Sequence, residues 1–135
     1  MISETFLQPW SSRLHGVLRI VTGFLFVQHG MAKLLHVPHV AMFDTIETGS
    51  LLWFAGILEI VGGPLILIGL CTRPVAFLLS GMMAIAYFKA HFPAGPLPLL
   101  NQGELAVMYC FVFLFFAAAG GGAWSVDAMR SRTSS

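Results

Sequence analysis

The sequence predicts an all-α membrane protein, a bundle of four transmembrane helices. Of its 135 residues, 57% are hydrophobic and only 10% are charged, whereas about 25% charged is usual in soluble proteins. The mean hydropathy is +0.83. Four apolar runs have about the length that crosses a bilayer as a helix, and they cover residues 13–35, 51–70, 74–91 and 104–119. A chain of this length usually forms one domain, so we expect a single membrane domain over residues 1–135. It ends in a polar C-terminal tail from residue 120.

The first predicted helix combines a glycine stripe with polar residues near its end. Gly16, Gly23 and Gly30 recur every seven residues, a spacing that suits close helix packing. The stripe is compatible with packing inside the chain and with a dimer interface. The sequence therefore allows a homo-oligomer. The polar residues of this helix are Arg19, whose role the sequence leaves open, and, near its far end, Gln28, His29 and Lys33.

The second predicted helix, LLWFAGILEIVGGPLILIGL, contains one carboxylate near its centre, Glu59. A lone acid at that depth costs at least ~2.5–3.5 kcal/mol on insertion scales, so it normally faces a protein or water interior and has a partner. Gly56 and Gly63 lie close to Glu59 on a helical wheel, and glycines allow a neighbouring helix to approach. We therefore expect Glu59 to point inward.

The rest of the chain supplies turns and the last two helices. The turn CTRP precedes the third helix, and FPAGPLPLLNQG, with three prolines, is not expected to form a regular helix. Glu104 opens the fourth helix. Cys71 and Cys110 fall at different depths of the predicted bundle, too far apart for a disulfide.

Positive charges set the expected orientation. In the four-helix layout Arg13, Arg73, Arg130 and Arg132 lie on one side, and the two loops of the opposite side contain no Lys or Arg. The positive-inside rule then places both termini in the cytoplasm. A formal charge of +1 lacks the strong positive charge of a nucleic-acid-binding protein. The apolar composition instead makes membrane lipid the expected surrounding.

Helical rise places ionisable side chains of all four helices at similar depth in the outer half of the bundle. They are His29, Glu59, Lys89, His91 and Glu104, bordered by Gln28 and Lys33. Simpler interpretations stay open, because the lysines can extend to the headgroups and Glu104 suits a helix N-terminus. His91 suits a helix end at the interface. His29 can hydrogen-bond a core neighbour, and Glu59 is the partner that we favour for it.

Four segments in this order and spacing resemble the DoxX family of small four-helix bacterial inner-membrane proteins. They are RIVTGFLFVQHGMAKL, AGILEIVGGPLILIGLCTRP, MAIAYFKAHFP and NQGELAVMYCFVFLFFAAAGGGAWSVD. Gln102 departs from the Asn-Gly-Gly-Glu run more usual in that family. The resemblance implies a multi-pass protein of the bacterial inner (plasma) membrane. It also implies quinone-linked oxidation, as in subunits of a thiosulfate:quinone oxidoreductase, or resistance to hydroquinone or oxidative stress.

The leading functional hypothesis is a membrane subunit of a quinone-linked oxidoreductase. His29, Lys89 and His91 would donate hydrogen bonds to a quinone or quinol headgroup, and Glu59 with His29 would transfer protons. The alternatives are a non-catalytic anchor that binds soluble redox proteins through its tail and, ranked lower, a small-solute transporter. No motif marks a metal site. Two features disfavour haem b between His29 and His91: His91 lies close to Pro93, and the glycines favour close packing.

Overall fold

The computed structural model describes residues 4–134, which form six α-helices and no strand. The prediction of an all-α protein is confirmed for these residues. They divide into two compact units. The first unit contains the residues up to Thr72 and those from Gly121 onward, and the second unit is Arg73–Gly120.

Two long antiparallel helices dominate the first unit: α1 (Glu4–Leu34) and α2 (Leu51–Ile68). A loop containing a 3₁₀ turn at Ala41–Phe43 joins them, and Ser50 caps α2 by accepting a hydrogen bond from the Trp53 N–H. Helix α1 begins at Glu4 rather than near Arg13. Its extra turns carry an aromatic–cation pair in which the Arg13 guanidinium lies over the Trp10 ring, 5.3 Å from its centroid.

The glycine stripe of α1 packs against α2 within the chain. A methyl group added at Gly23 would lie 2.6 Å from the Leu67 nitrogen, and one at Gly63 would lie 2.6 Å from Val27. These distances are below van der Waals contact, so only glycine permits this separation of the two backbones. Of the two interpretations of the stripe, packing inside the chain is the one that these contacts support.

Helix α2 ends in a left-handed glycine cap. Gly69 has a φ of 70°, and the N–H groups of Gly69 and Leu70 donate to the carbonyls of Ile66 and Leu65, which is a Schellman motif. The chain then turns into α3 (Thr72–Ala86). The polar tail is not entirely irregular, because it forms a short helix, α6 (Val126–Thr133), which belongs to the first unit.

The second unit contains most of α3, the short helix α4 (Pro98–Asn101) and α5 (Glu104–Ala119). Helix α3 continues as a π-helical turn at Tyr87–His91 and a 3₁₀ turn at Phe92–Ala94. The Ser80 hydroxyl of α3 donates to the Cys110 carbonyl of α5 at 2.8 Å. Both cysteines are free thiols.

Two helices among the described residues are long and apolar enough to cross a membrane, namely Leu51–Ile68 and the continuous helical stretch Thr72–Ala94. The apolar helix α5 is shorter, and α1, with 31 residues, carries the polar side chains already noted. Four spanning helices with cytoplasmic termini remain a prediction.

Candidate functional site

Glu59 and Lys33 form a buried ion pair between α2 and α1. The Lys33 Nζ donates to the Glu59 Oε1 at 2.6 Å, and the exposed fractions of the two side chains are 10% and 3%. A charge this well buried requires a close partner of opposite sign. The sequence predicted that Glu59 points inward and has a partner, and the structure assigns that partner as Lys33.

A glycine of α1 makes this pair possible. A methyl group added at Gly30 would lie 2.8 Å from the Glu59 Cβ, so α2 approaches α1 closely at this level. Lys33 follows Gly30 by about one helical turn and therefore extends over the same face of α1. Leu34 packs over Gly56 on the other side of the contact.

The second carboxylate oxygen of Glu59 is unpaired. The Oε2 atom is buried and has no hydrogen-bond partner among residues 4–134. Buried polar atoms are nearly always hydrogen-bonded, so each exception calls for an explanation such as a ligand, an ion or a water. In its ionised form a carboxylate only accepts hydrogen bonds, so in that form Oε2 offers an acceptor to a hydrogen-bond donor.

An aromatic ring covers the lysine end of the pair. The Lys33 Nζ lies 5.6 Å from the centroid of the Phe43 ring, which belongs to the 3₁₀ turn between α1 and α2. His29 lies one turn before Lys33 on the same face of α1, and both His29 and Gln28 are half-buried. Four of the predicted site residues thus belong to one part of the first unit: Gln28, His29, Lys33 and Glu59.

The other three predicted site residues belong to the second unit. Lys89 and Glu104 are exposed, and His91 is half-buried. His91 lies in the π-helical turn, a feature that is frequent at functional sites, and its Nδ1–H donates to the Asn101 carbonyl at 3.1 Å. This hydrogen bond leaves Nε2 as the ring nitrogen available to a ligand. The convergence of these residues with Glu59 stays a prediction.

Asn101 holds this end of the second unit together, a role that the sequence analysis did not identify. Its side-chain nitrogen donates to the Gly95 carbonyl at 2.7 Å and to the Tyr87 hydroxyl at 3.2 Å, and its Oδ1 accepts from the Gly103 N–H. The Tyr87 hydroxyl in turn donates to the Pro96 carbonyl. The Asn-Gln-Gly turn ahead of α5 was the available signal.

Arg19 is the second fully buried charge of the first unit, and its hydrogen bonds answer the question that the sequence left open. Its Nε donates to the Gly121 carbonyl at 2.6 Å. One terminal nitrogen donates to two carbonyls at the end of α2, those of Ile66 and Leu67. The other donates to the carbonyls of Ala123 and Trp124. All five guanidinium N–H groups are therefore used, and Arg19 ties the C-terminal segment to the end of α2.

Asp127 makes a second connection at the same end of the unit. Its carboxylate accepts hydrogen bonds from the N–H groups of Cys71 and Thr72 at 2.9 and 2.8 Å, and its own N–H donates to the Gly69 carbonyl. Partial burial acts to raise the pKa of Asp127, but the hydrogen bonds from Thr72 and Cys71, with the nearby charge of Arg130, hold that pKa below its ordinary value. The ionised form of Asp127 is therefore the one that this turn stabilises.

No group of three or more His, Cys, Asp or Glu side chains suited to a metal ion occurs within the part of the chain that the structure describes. The side chains of Lys33 and Glu59 can themselves form hydrogen bonds and transfer protons.

Comparisons with known proteins agree with the membrane character of the chain. The profile of the DoxX family matches residues 15–92. An uncharacterized protein of Haemophilus influenzae is 44% identical over 114 residues, which are 82% of this chain and 85% of the relative. An uncharacterized membrane protein of Mycobacterium tuberculosis is 26% identical over 132 residues, 85% of this chain and 80% of the relative. No solved structure gives a significant match. This chain is a membrane protein that belongs to the DoxX family.

Proposed function

We propose that this protein is a multi-pass inner-membrane component of a quinone-linked redox system and binds a quinone or quinol headgroup at the Lys33–Glu59 pair. The observation that carries the proposal is the unpaired Oε2 of Glu59, buried in a helix of membrane-spanning length. A quinol presents hydroxyl donors and an apolar body, which suits a lone acceptor within an apolar surrounding.

The pair has a complementary group for each redox form of such a headgroup. The Glu59 Oε2 accepts a hydrogen bond from a quinol hydroxyl, and the Lys33 ammonium, which has three N–H groups, has donors left for a quinone carbonyl. A quinol releases two protons when its two electrons pass to a redox partner protein, and we assign Glu59 to accept these protons one at a time. His29, four residues before Lys33 on α1, is the group that we assign to pass protons onward.

The site lies at about the middle of α2 and is buried from solvent. Glu59 follows the start of α2 by eight residues, about 12 Å along the helix axis, and Lys33 lies in the last turn of α1.

Binding of short-chain ubiquinone and menaquinone analogues to the purified protein in lipid nanodiscs tests the proposal. We expect saturable binding of at least one analogue, measured by titration calorimetry. Glu59→Gln should weaken the binding at least about tenfold, because a hydrogen bond to a charged group contributes roughly 1.5–3 kcal/mol. The absence of saturable binding to the wild type would overturn the proposal.

The matched control is Glu47→Gln, which makes the same chemical change at an exposed position of the loop between α1 and α2. It should bind as the wild type does. Equal weakening by both variants would show that general charge, rather than Glu59, determines affinity. An absorption spectrum of the same preparation from haem-supplied cells addresses the haem alternative, which predicts a Soret band that is lost in His29→Ala and in His91→Ala.

A further inference from the structure

The C-terminal segment is attached to the end of α2. This helix is long enough to span the bilayer and ends at Ile68, so in a bilayer that α2 spans, the turn that follows lies at the interface. Asp127 hydrogen-bonds across this turn to Gly69, Cys71 and Thr72, and Arg19 binds the carbonyls from Gly121 to Trp124. Helix α6 is thereby attached at the level where lipid headgroups begin.

Exposed aromatic and basic side chains gather at this level. Trp124 is 61% exposed and Met129 is 62% exposed, while the ring of Trp124 reaches α1 at Gly16, about one turn after Arg13. We call these residues the interfacial patch, which comprises Trp10, Arg13, Trp124, Met129, Arg130 and Arg132. Tryptophan is enriched at membrane interfaces because its ring is apolar and its N–H is polar.

The backbone at Trp124 has an uncommon conformation that a buried side chain holds in place. Its φ is 56°, a left-handed conformation that is uncommon for a bulky residue, and the buried Arg19 holds its carbonyl at 3.1 Å. Strained conformations of this kind persist where the surrounding structure enforces them, and they concentrate at functional positions. The exposed indole is thus held in place by the core of the unit.

The charge of the interfacial patch is positive. Arg13, Arg130 and Arg132 contribute three cations. Asp127, in the same segment, contributes one negative charge, and its carboxylate accepts hydrogen bonds from the N–H groups of Cys71 and Thr72. The balance of these four charges is therefore positive. Basic residues beside a membrane attract anionic lipid headgroups, and arginine forms bidentate hydrogen bonds with phosphate.

We propose that the interfacial patch binds anionic phospholipid headgroups, with Arg130 and Arg132 contacting the phosphate and Trp124 inserted at the level of the acyl-chain boundary. This site differs in location and chemistry from the Lys33–Glu59 pair. It assigns the C-terminal tail a lipid partner in place of the soluble protein that the sequence analysis weighed.

Tryptophan quenching by brominated lipids tests this proposal. The reporter protein carries Trp10→Phe and Trp53→Phe, so that Trp124 is the remaining tryptophan, and is reconstituted into vesicles of mixed phosphatidylcholine and phosphatidylglycerol. Bromine is placed on one lipid or the other at the same mole fraction. We expect brominated phosphatidylglycerol to quench Trp124 more strongly than brominated phosphatidylcholine does. The difference should correspond to an enrichment of phosphatidylglycerol around Trp124 of about fivefold for each arginine, which is the ratio given by ~1 kcal/mol per basic residue at low salt.

Two variants locate the effect. Arg130→Gln/Arg132→Gln should bring the two brominated lipids close to equal quenching, and Arg130→Lys/Arg132→Lys, which keeps the charge, should retain most of the enrichment. Raising the salt to 1 M should reduce it. Equal quenching by the two lipids in the reporter protein would overturn the proposal. So would an unchanged preference in the glutamine variant, or release of a co-purifying soluble protein by that variant with no change in quenching.

Discussion

Arg19 and Glu59 are both buried charges of the first unit, but their hydrogen bonding differs. Arg19 uses all five N–H groups on backbone carbonyls, whereas Glu59 has one oxygen on Lys33 and one without a partner. A fully satisfied buried charge stabilises the segments that it connects, whereas a half-satisfied one retains capacity for a ligand. The contrast separates a structural charge from a candidate functional one inside the same helix pair.

Removing Arg19 should produce the largest effect on stability. Arg19→Met leaves carbonyls of α2 and of the C-terminal segment without donors, at about 1–3 kcal/mol for each group that water cannot reach. We expect the variant to unfold far below the wild-type temperature in detergent, or to fail to accumulate. Arg13→Met, an identical change at an exposed position of α1, is the control and should stay close to the wild type. A melting temperature of Arg19→Met within a few degrees of the wild type would contradict the structural role.

Adding a methyl group between α1 and α2 close to each charge should have the next largest effect on stability. Gly23→Ala adds a methyl group 2.6 Å from the Leu67 nitrogen near Arg19, and Gly30→Ala adds one 2.8 Å from the Glu59 Cβ. Each should destabilise the unit by about 1–3 kcal/mol, as overpacking does, but only Gly30→Ala should also weaken quinone binding. Gly81→Ala, where nothing lies within 4 Å, is the control for stability. Equal loss of quinone binding in Gly23→Ala and Gly30→Ala would contradict the assignment of Arg19 to structure and of Glu59 to ligand binding.

The sequence was informative where a pattern of side chains carried the signal. The lone carboxylate Glu59 predicted an inward orientation and a partner, and the heptad of glycines predicted a close helix contact; the contacts at Gly23, Gly30 and Lys33 agree with both. The role of Arg19 was not predictable, because its acceptors are carbonyl groups as far as 105 residues away. Every residue has a carbonyl, so the sequence marks none of them as a partner.

Asp127 resembles Arg19 because its side chain hydrogen-bonds to backbone groups. It is half-exposed, so we expect its replacement to reduce stability less than the replacement of Arg19. Its pKa is lower in the folded protein than its ordinary value of about 3.9. The stabilisation is therefore fully present above the unfolded pKa and is lost as the pH falls through the folded pKa. Asp127→Asn should cost about 1 kcal/mol at pH 7, less than the roughly 1.5–3 kcal/mol of a hydrogen bond to a buried charged group, because water screens the partly exposed carboxylate.

Melting temperatures of the wild type and Asp127→Asn between pH 7 and pH 3 provide the measurement. The gap in melting temperature should begin to narrow below about pH 4, where Asp127 of the unfolded wild type takes up a proton, and should keep narrowing toward the lower folded pKa. The variant has no charge to lose at this position. Glu47→Gln, an exposed acid of the loop, should show no such gap at pH 7. A gap that stayed constant down to pH 3 would mean that the carboxylate charge is not what stabilises the turn.

Replacing the Lys33–Glu59 pair as a whole should produce the smallest effect on stability. Lys33→Met/Glu59→Leu removes both charges and the unpaired Oε2 together, and exchanging a buried ion pair for apolar residues of similar size is often neutral or stabilising. Each single variant should be less stable than the double variant, because it leaves an unpaired buried charge. We expect the double variant to unfold within about 1 kcal/mol of the wild type while losing quinone binding, as measured by thermal unfolding and calorimetry on the same sample. No corresponding replacement exists for Arg19, since its partners are carbonyls that a mutation cannot remove. A large destabilisation of the double variant would therefore assign the pair to structure and remove the argument for a ligand at Glu59.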